Sequence, residues 1–268
     1  MTAKINLIAI NIGNSRIQLG VYVEGELTRN EHFDHENLTA CVEGVVSGWQ
    51  ELGDRSHMAI AIASVHEALA QKLASAIRDQ LSVEVNHVGS DMPVPIGTQL
   101  NPETITGVDR LLNAAAAFDT IKQACIVIDA GTAVTIDFVD GDGTFQGGAI
   151  APGARLQLQC LHEQTDALPE LIFAQPDVDP FGRSTAQAML RGVYHGIRGM
   201  VWKLVEQYAE AYEAYPTVIA TGGDAQTLFH DDELIDRIVP DLTLHGIMVT
   251  ARDALVGQTD EDIDVRRN

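Results

Sequence analysis

The chain has 268 residues and a formal net charge of −21 with its histidines neutral, enough length for one large domain or two of moderate size with a real core. So negative a field with no basic stripe, Lys and Arg standing singly apart from Arg266-Arg267, argues against nucleic acid or an anionic membrane as partner. Cys41, Cys125 and Cys160 form no C-x-x-C pair and read as reduced, buried thiols of a cytoplasmic protein, and no stretch is long enough to span a bilayer. The first apolar run contains Asn6 and Asn11 and has no small-residue cleavage site after it, so it reads as a strand rather than a signal peptide.

In chain order, Leu7-Ile8-Ala9-Ile10-Asn11-Ile12-Gly13-Asn14-Ser15 is an apolar run, an amide, a glycine turn and the start of a return strand. Residues 36–52 are expected to form a helix, 59–65 a buried strand, 67–80 an amphipathic helix with Leu69, Leu73 and Ile77 on one face, and 83–88 another strand. Residues 89–106, rich in Pro, Gly and Thr, read as a long loop and a candidate for substrate contact. Gly107-Val108-Asp109-Arg110 then leads into a helix over 111–117 that joins two similar halves.

The second half opens on Cys125-Ile126-Val127-Ile128-Asp129-Ala130-Gly131-Thr132-Ala133, a copy of the first pattern with a carboxylate in place of the amide. A strand is expected over 133–139, a sharply bending, turn-rich stretch over 144–153, a helix over 154–164, and a loop through Pro169, Pro176 and Pro180. Residues 185–212 read as a long helix in which Gly192, Gly196 and Gly199 admit the close approach of another backbone. A short buried strand over 218–224 ends in Gly222-Gly223, a last helix covers 246–256, and the acidic tail after Gly257 is expected to be disordered. The repeat sets expected domains at 1–117 and 118–268.

A glycine at such a turn lets backbone N–H groups approach an anion, and a carboxylate at the strand end can hold that anion's metal or a water. Two such turns facing each other would clamp the phosphates of a nucleotide. In a chain this acidic, a polyphosphate must be met by metal ions and backbone amides.

The duplicated hairpin, followed by Thr221-Gly222-Gly223 at the end of a late strand, resembles the acetate and sugar kinase, heat-shock protein 70 and actin superfamily. Within it the chain is most similar to type III pantothenate kinase. The resemblance is carried by Asn11-Ile12-Gly13-Asn14-Ser15, Asn101-Pro102, Gly107-Val108-Asp109-Arg110 with Asn113, Asp129-Ala130-Gly131-Thr132, Gly147-Gly148-Ala149-Ile150-Ala151-Pro152-Gly153, Gly182 with Thr185, and Thr221-Gly222-Gly223. These segments fall in order along nearly the whole chain.

The resemblance implies two actin-like, ribonuclease H-like α/β domains, each a mixed sheet flanked by helices, with the active site in the cleft between them. It implies ATP-dependent phosphorylation of pantothenate, the first step to coenzyme A, by a cytoplasmic homodimer that needs Mg2+ and a monovalent cation, K+ or NH4+. By the same resemblance Asn11, Ile12, Gly13, Asn14, Ser15, Arg16, Gly131, Thr132, Thr221, Gly222 and Gly223 hold the nucleotide, and Asp129 is the cation ligand. Leu100, Gly107, Val108, Asp109, Arg110 and Thr185 line the substrate site, with Asp109 the base beside the acceptor hydroxyl and Thr185 reaching the neighbouring protomer's substrate. The residues alone leave other roles open: Asp109 charging a helix turn, Arg110 forming a surface ion pair, Asp129 making an Asx-turn, and Thr185 capping a helix.

Two positions depart from the family pattern. The first turn would begin with Asp, and Asn11 keeps an oxygen of similar reach but has no charge, a loss worth roughly 10²- to 10³-fold in rate by analogy with deleting one preorganised charge-stabilising group. A Tyr often precedes Asn-Pro in the family, and Leu100 offers no hydroxyl. Both departures make a second reading admissible, a non-catalytic homologue that binds nucleotide or pantothenate in a regulatory role.

Overall fold

The computed structural model describes residues 4–53 and 56–265, the stretch 256–265 by its backbone alone. Two compact units emerge: unit 1 comprises Met1–Ile96, Glu103–Asp119 and Leu242–Asn268, and unit 2 comprises Gly97–Pro102 and Thr120–Asp241.

Unit 1 begins with β1 (Asn6–Ile12), β2 (Ile17–Val23) and β3 (Glu26–Phe33), then α1 (Leu38–Leu52), β4 (Met58–Ser64), α2 (Glu67–Leu81) and β5 (Asn86–His87). Its sheet runs β3-β2-β1-β4-β5, antiparallel on the β2 side of β1 and parallel on the β4 side. The alternation in β1 explains why both faces are buried. Ile8, Ile10 and Ile12 join Val45, Leu52, Leu73 and Ile77 of α1 and α2 in one core cluster, and Leu7 and Ala9 join Leu112, Leu244, Ile247 and Ala251 in the other. Each such fully buried branched aliphatic contributes roughly 1.5–3 kcal/mol. The Asn37 side chain caps α1 by accepting from Ala40 N–H at 3.4 Å, and Gly53 at φ 62° ends it.

Unit 2 carries β6 (Gly97–Thr98), and unit 1 resumes with α3 (Val108–Ile121), whose last residues pass into unit 2. There follow β7 (Cys125–Ala130), β8 (Ala133–Val139), β9 (Thr144–Pro152), α4 (Ala154–Glu163), α5 (Thr185–Tyr212), β10 (Thr217–Thr221), α6 (Ala225–Phe229) and β11 (Arg237–Ile238). The sheet order is β11-β10-β7-β8-β9-β6. Apart from the added edge β6, this repeats the unit 1 order strand for strand, with β7 in the place of β1. Ile126, Ile128 and Ala130 of β7 pack with Leu158 of α4 and Val193, Ile197 and Val201 of α5.

α7 (Leu242–Val265) returns to unit 1, whereas the sequence repeat placed everything after residue 117 with the second half. Leu244, Ile247 and Ala251 fill the sheet face that α3 leaves uncovered, and a Cβ at Gly246 would collide with Leu112 O of α3. The tail after Gly257, expected to be disordered, instead continues α7 as helix to Val265, and 266–268 lie outside the described residues.

Other expectations are corrected. The stretch 144–153 is strand β9 up to Pro152, in register with β8 except for a shift at Phe138/Val139 that skips Gln146, next to Gly147 at φ 101°. The strand over 83–88 shrinks to Asn86–His87, the only residues paired with β4. The long loop contributes β6, which pairs with β9. Cys41 and Cys125 are buried and free, and burial pushes both thiols up to about 12. Cys160 is free but exposed on α4. Among the described residues, no helix is long and apolar enough to cross a membrane.

Candidate active site

The register of unit 2 assembles its turn. Asp129, the penultimate residue of β7, lies opposite Thr221 of parallel β10 and opposite Thr135 of antiparallel β8. Gly131 and Thr132 make the link to β8, closed by Gly131 N–H donating to Ala133 O at 2.9 Å. Gly222, at φ 93°, sits so close to Ala130 O and Asp129 Oδ1 that no side chain would fit there. The next amide but one, Asp224 N–H, donates to Ala130 O at 2.9 Å. From the other flank Gly153 N–H donates to Thr132 O at 2.9 Å, and a Cβ on Gly153 would strike Gly131 O and Thr132 O. The structure thus brings Asp129, Gly131, Thr132, Thr221, Gly222 and Gly223 together and adds Gly153.

In unit 1, Asn11 is half-buried near the end of β1 and Asn14, Ser15 and Arg16 are exposed. Gly13 N–H donates to Arg16 O at 3.1 Å and closes the hairpin. A Cβ would find its nearest neighbour at 3.6 Å on Gly13 and at 3.8 Å on Gly131, ordinary contact distances, so neither glycine is crowded by its surroundings. The donor set also suits a nucleotide-borne cation. No group of three His, Cys, Asp or Glu among the described residues could hold a metal, and Mg2+ in phosphoryl-transfer sites takes one or two carboxylates with the substrate's own phosphates.

Asp109 sits in the first turn of α3, half-buried, with Oδ1 accepting from Arg110 N–H at 2.9 Å. Gly107 makes room for it, since a Cβ there would stand 2.5 Å from that oxygen. Asn113, one turn further on, is buried and accepts from Thr243 Oγ1 of α7 at 2.8 Å. Leu100 belongs to unit 2, where its Cδ2 would lie 3.4 Å from a Cβ on Gly147. The predicted substrate residues therefore divide between units, Gly107, Val108, Asp109 and Arg110 in one and Leu100 and Thr185 in the other.

Thr185 is the first residue of α5, and the cap is Ser184, which forms a reciprocal capping box with Gln187. The capping role weighed for Thr185 thus belongs to its neighbour, and Thr185 is exposed. The Ser-x-x-Gln spacing was the available signal. Two further residues went unnoticed: Asp224 is 1% exposed and pairs with Arg155 Nη2 at 2.6 Å. Neither carries a motif by itself.

The family model of type III pantothenate kinases matches residues 7–207. A type III pantothenate kinase of Rhodospirillum rubrum is 36% identical over 253 residues, covering 92% of this chain and 98% of that protein. One of Paramagnetospirillum magneticum is 37% identical over 255 residues, covering 90% and 95%.

This chain belongs to the type III pantothenate kinase family.

Among solved structures, a Campylobacter jejuni protein described as a Baf family transcriptional activator superposes with TM-score 0.56 at 20% identity, covering 95% of this chain and 99% of that one. Component A of (R)-2-hydroxyglutaryl-CoA dehydratase from Acidaminococcus fermentans does so with TM-score 0.53 at 13% identity over the same shares. At these identities the likeness concerns the fold alone. The paired mixed sheets expected of an actin-like type III pantothenate kinase are the ones observed.

Proposed function

We propose that this chain transfers the γ-phosphoryl group of ATP to pantothenate, the first step of coenzyme A synthesis. The observation that carries the reading is the second turn, in a chain of this family: Asp129 stands beside Gly131-Thr132 with Gly222 wedged against it. Phosphoryl transfer asks little covalent chemistry of a protein, only phosphate-facing amides, metal-holding carboxylates and a base at the acceptor hydroxyl. The turns at Gly13-Asn14 and Gly131-Thr132 face phosphate, Gly222-Gly223 backs the nucleoside, and Asp109 accepts the hydroxyl proton. Arg110 pairs with the substrate carboxylate.

Asp129 would hold the monovalent cation, and the Asn11 Oδ1 would face Mg2+ directly or through water. These ions supply neutralisation of phosphate charge that so acidic a chain cannot. The acting species is a homodimer. In its favour, the exposed Gly192, Gly196 and Gly199 of α5 leave open space where a Cβ would be, so among the described residues no backbone uses the close approach they permit. Sedimentation of the purified protein tests this, and a monomer at working concentration would contradict it.

The test of function is ADP release with ATP, Mg2+ and pantothenate in K+ and in Na+ salts. Pantothenate-dependent, K+-stimulated release is expected. Absence of turnover in both salts, with ligand still raising Tm, would instead make this a binding protein on a kinase scaffold, the role Asn11 makes conceivable. Asp109→Asn should lower kcat roughly 10²- to 10⁴-fold, the range of a general base, with Tm nearly unchanged. A mere helix-end role predicts intact rates, because Asn serves there as well as Asp.

A further inference from the structure

The short helix α6 is bracketed by two buried carboxylates, each tied to an arginine of a different helix. Asp232, beyond its C-terminal end, is 6% exposed and accepts from Arg198 Nη2 of α5 at 3.0 Å and from Trp202 Nε1 at 3.0 Å. That tie joins α5 to a loop remote in sequence from either glycine turn. Asp224, before the N-terminal end, leads straight to the second turn. Its N–H is bonded to Ala130 O at 2.9 Å, and it directly follows the Gly222-Gly223 pair that abuts Asp129.

Its partner Arg155 comes two residues after Gly153, whose N–H holds Thr132 O at 2.9 Å. The 2.6 Å pair therefore closes a ring that runs from Ala130 through Thr132, Gly153, Arg155 and Asp224 back to Ala130. Arg155 adds a side-chain tie to the backbone contacts that space the two glycine walls, and its guanidinium offsets the charge of a carboxylate buried beside them.

We infer that Arg155 is a positioning residue of the nucleotide site, acting through Asp224 to fix the Gly153 and Gly222 walls around the second turn. The inference rests on reading that turn as nucleotide-holding. The experiment measures ADP affinity by calorimetry, so that it does not depend on turnover, and adds KM for ATP and for pantothenate and Tm. Arg155→Ala should weaken ADP and raise the ATP KM about tenfold, the scale of one charge-assisted hydrogen bond that orients a binding segment. The pantothenate KM should hold, and Arg155→Lys should recover most of the loss. Arg198→Ala should lower Tm while changing ADP affinity less than about twofold.

If Arg155→Ala does not fold, Arg155→Gln with Asp224→Asn leaves no buried charge and should still bind ADP weakly. Wild-type ADP affinity in Arg155→Ala or in that double variant, or equal weakening by Arg155→Ala and Arg198→Ala, overturns the inference. A wild-type chain that binds ADP yet turns over no pantothenate defeats the kinase reading, while the variant affinities still decide this one. A wild-type chain that binds no ADP defeats the inference.

Discussion

The turn of unit 1 runs over the four residues Gly13 to Arg16 between β1 and β2, and the turn of unit 2 over two, Gly131-Thr132, between β7 and β8. Nothing crowds the first: Asn14, Ser15 and Arg16 are exposed, and Gly13 would tolerate a Cβ. The second is wedged by Gly153 on one flank and Gly222 on the other, both without room for a side chain. The rigid turn carries the carboxylate, Asp129, and the open one carries the amide, Asn11. Electrostatic stabilisation is strongest where the charge needs no reorganisation, so the asymmetry puts the fixed anion in unit 2, while the turn of unit 1 offers amides and a hydroxyl but no carboxylate.

Making the second turn like the first is the strongest way to test this. Asp129→Asn should lower kcat roughly 10²- to 10³-fold, measured as ADP release, and a small effect would mean the two turns are interchangeable. Gly222→Ala comes next, because the substitution meets a positive φ and the Ala130 carbonyl at once. It should destabilise the fold by about 2–4 kcal/mol in urea, against less than about 1 kcal/mol for Gly13→Ala. Equal losses would erase the contrast in rigidity.

Asn11→Asp should raise kcat by at least about tenfold, ~1.4 kcal/mol, and by up to the roughly 10²- to 10³-fold that one such charge is worth, if the amide merely lacks a charge. An unchanged or lower rate would show that the open turn is built around the amide. The smallest effect concerns the outer tether of unit 2. The Arg198 guanidinium, bonded to Asp231 at 2.7 Å, holds that carboxyl below its ordinary value of 3.8. Its stabilisation is present above the ordinary carboxylate range and fades as pH falls through the depressed value. With Asp231 half exposed, this amounts to a few tenths of a kcal/mol, as for surface pairs generally. The Tm gap between wild type and Asp231→Asn should therefore close below about pH 4.

Much of this was legible in the chain. Ile8, Ile10 and Ile12 alternating with Leu7 and Ala9 announce a strand buried on both faces, and the span of α5 could be read to its end at Tyr212. The grouping of Asp129, Gly131, Thr132 and Thr221 in unit 2 was legible because each motif lies at a strand end, where register alone brings Thr221 beside Asp129. β9 was not, because Gly147-Gly148 and Pro152-Gly153 have the composition of turns. Gly148 is there because a Cβ would strike Ile136 O and Asp137, a demand that exists only once β8 lies alongside.

By itself the sequence determined what local patterning can encode: the strands and helices, the duplicated turn, the substitution at Asn11 and the excess of negative charge. Only the tertiary structure decided that α7 crosses back to complete unit 1, that Leu100 and Asp109 lie in different units, that Ser184 rather than Thr185 caps α5, and that Arg155 reaches Asp224. Each of those depends on which surfaces remain to be covered, or which buried charge remains to be paired, after the local elements have formed. Residues tens of positions apart in the chain meet that need, and no local pattern records it.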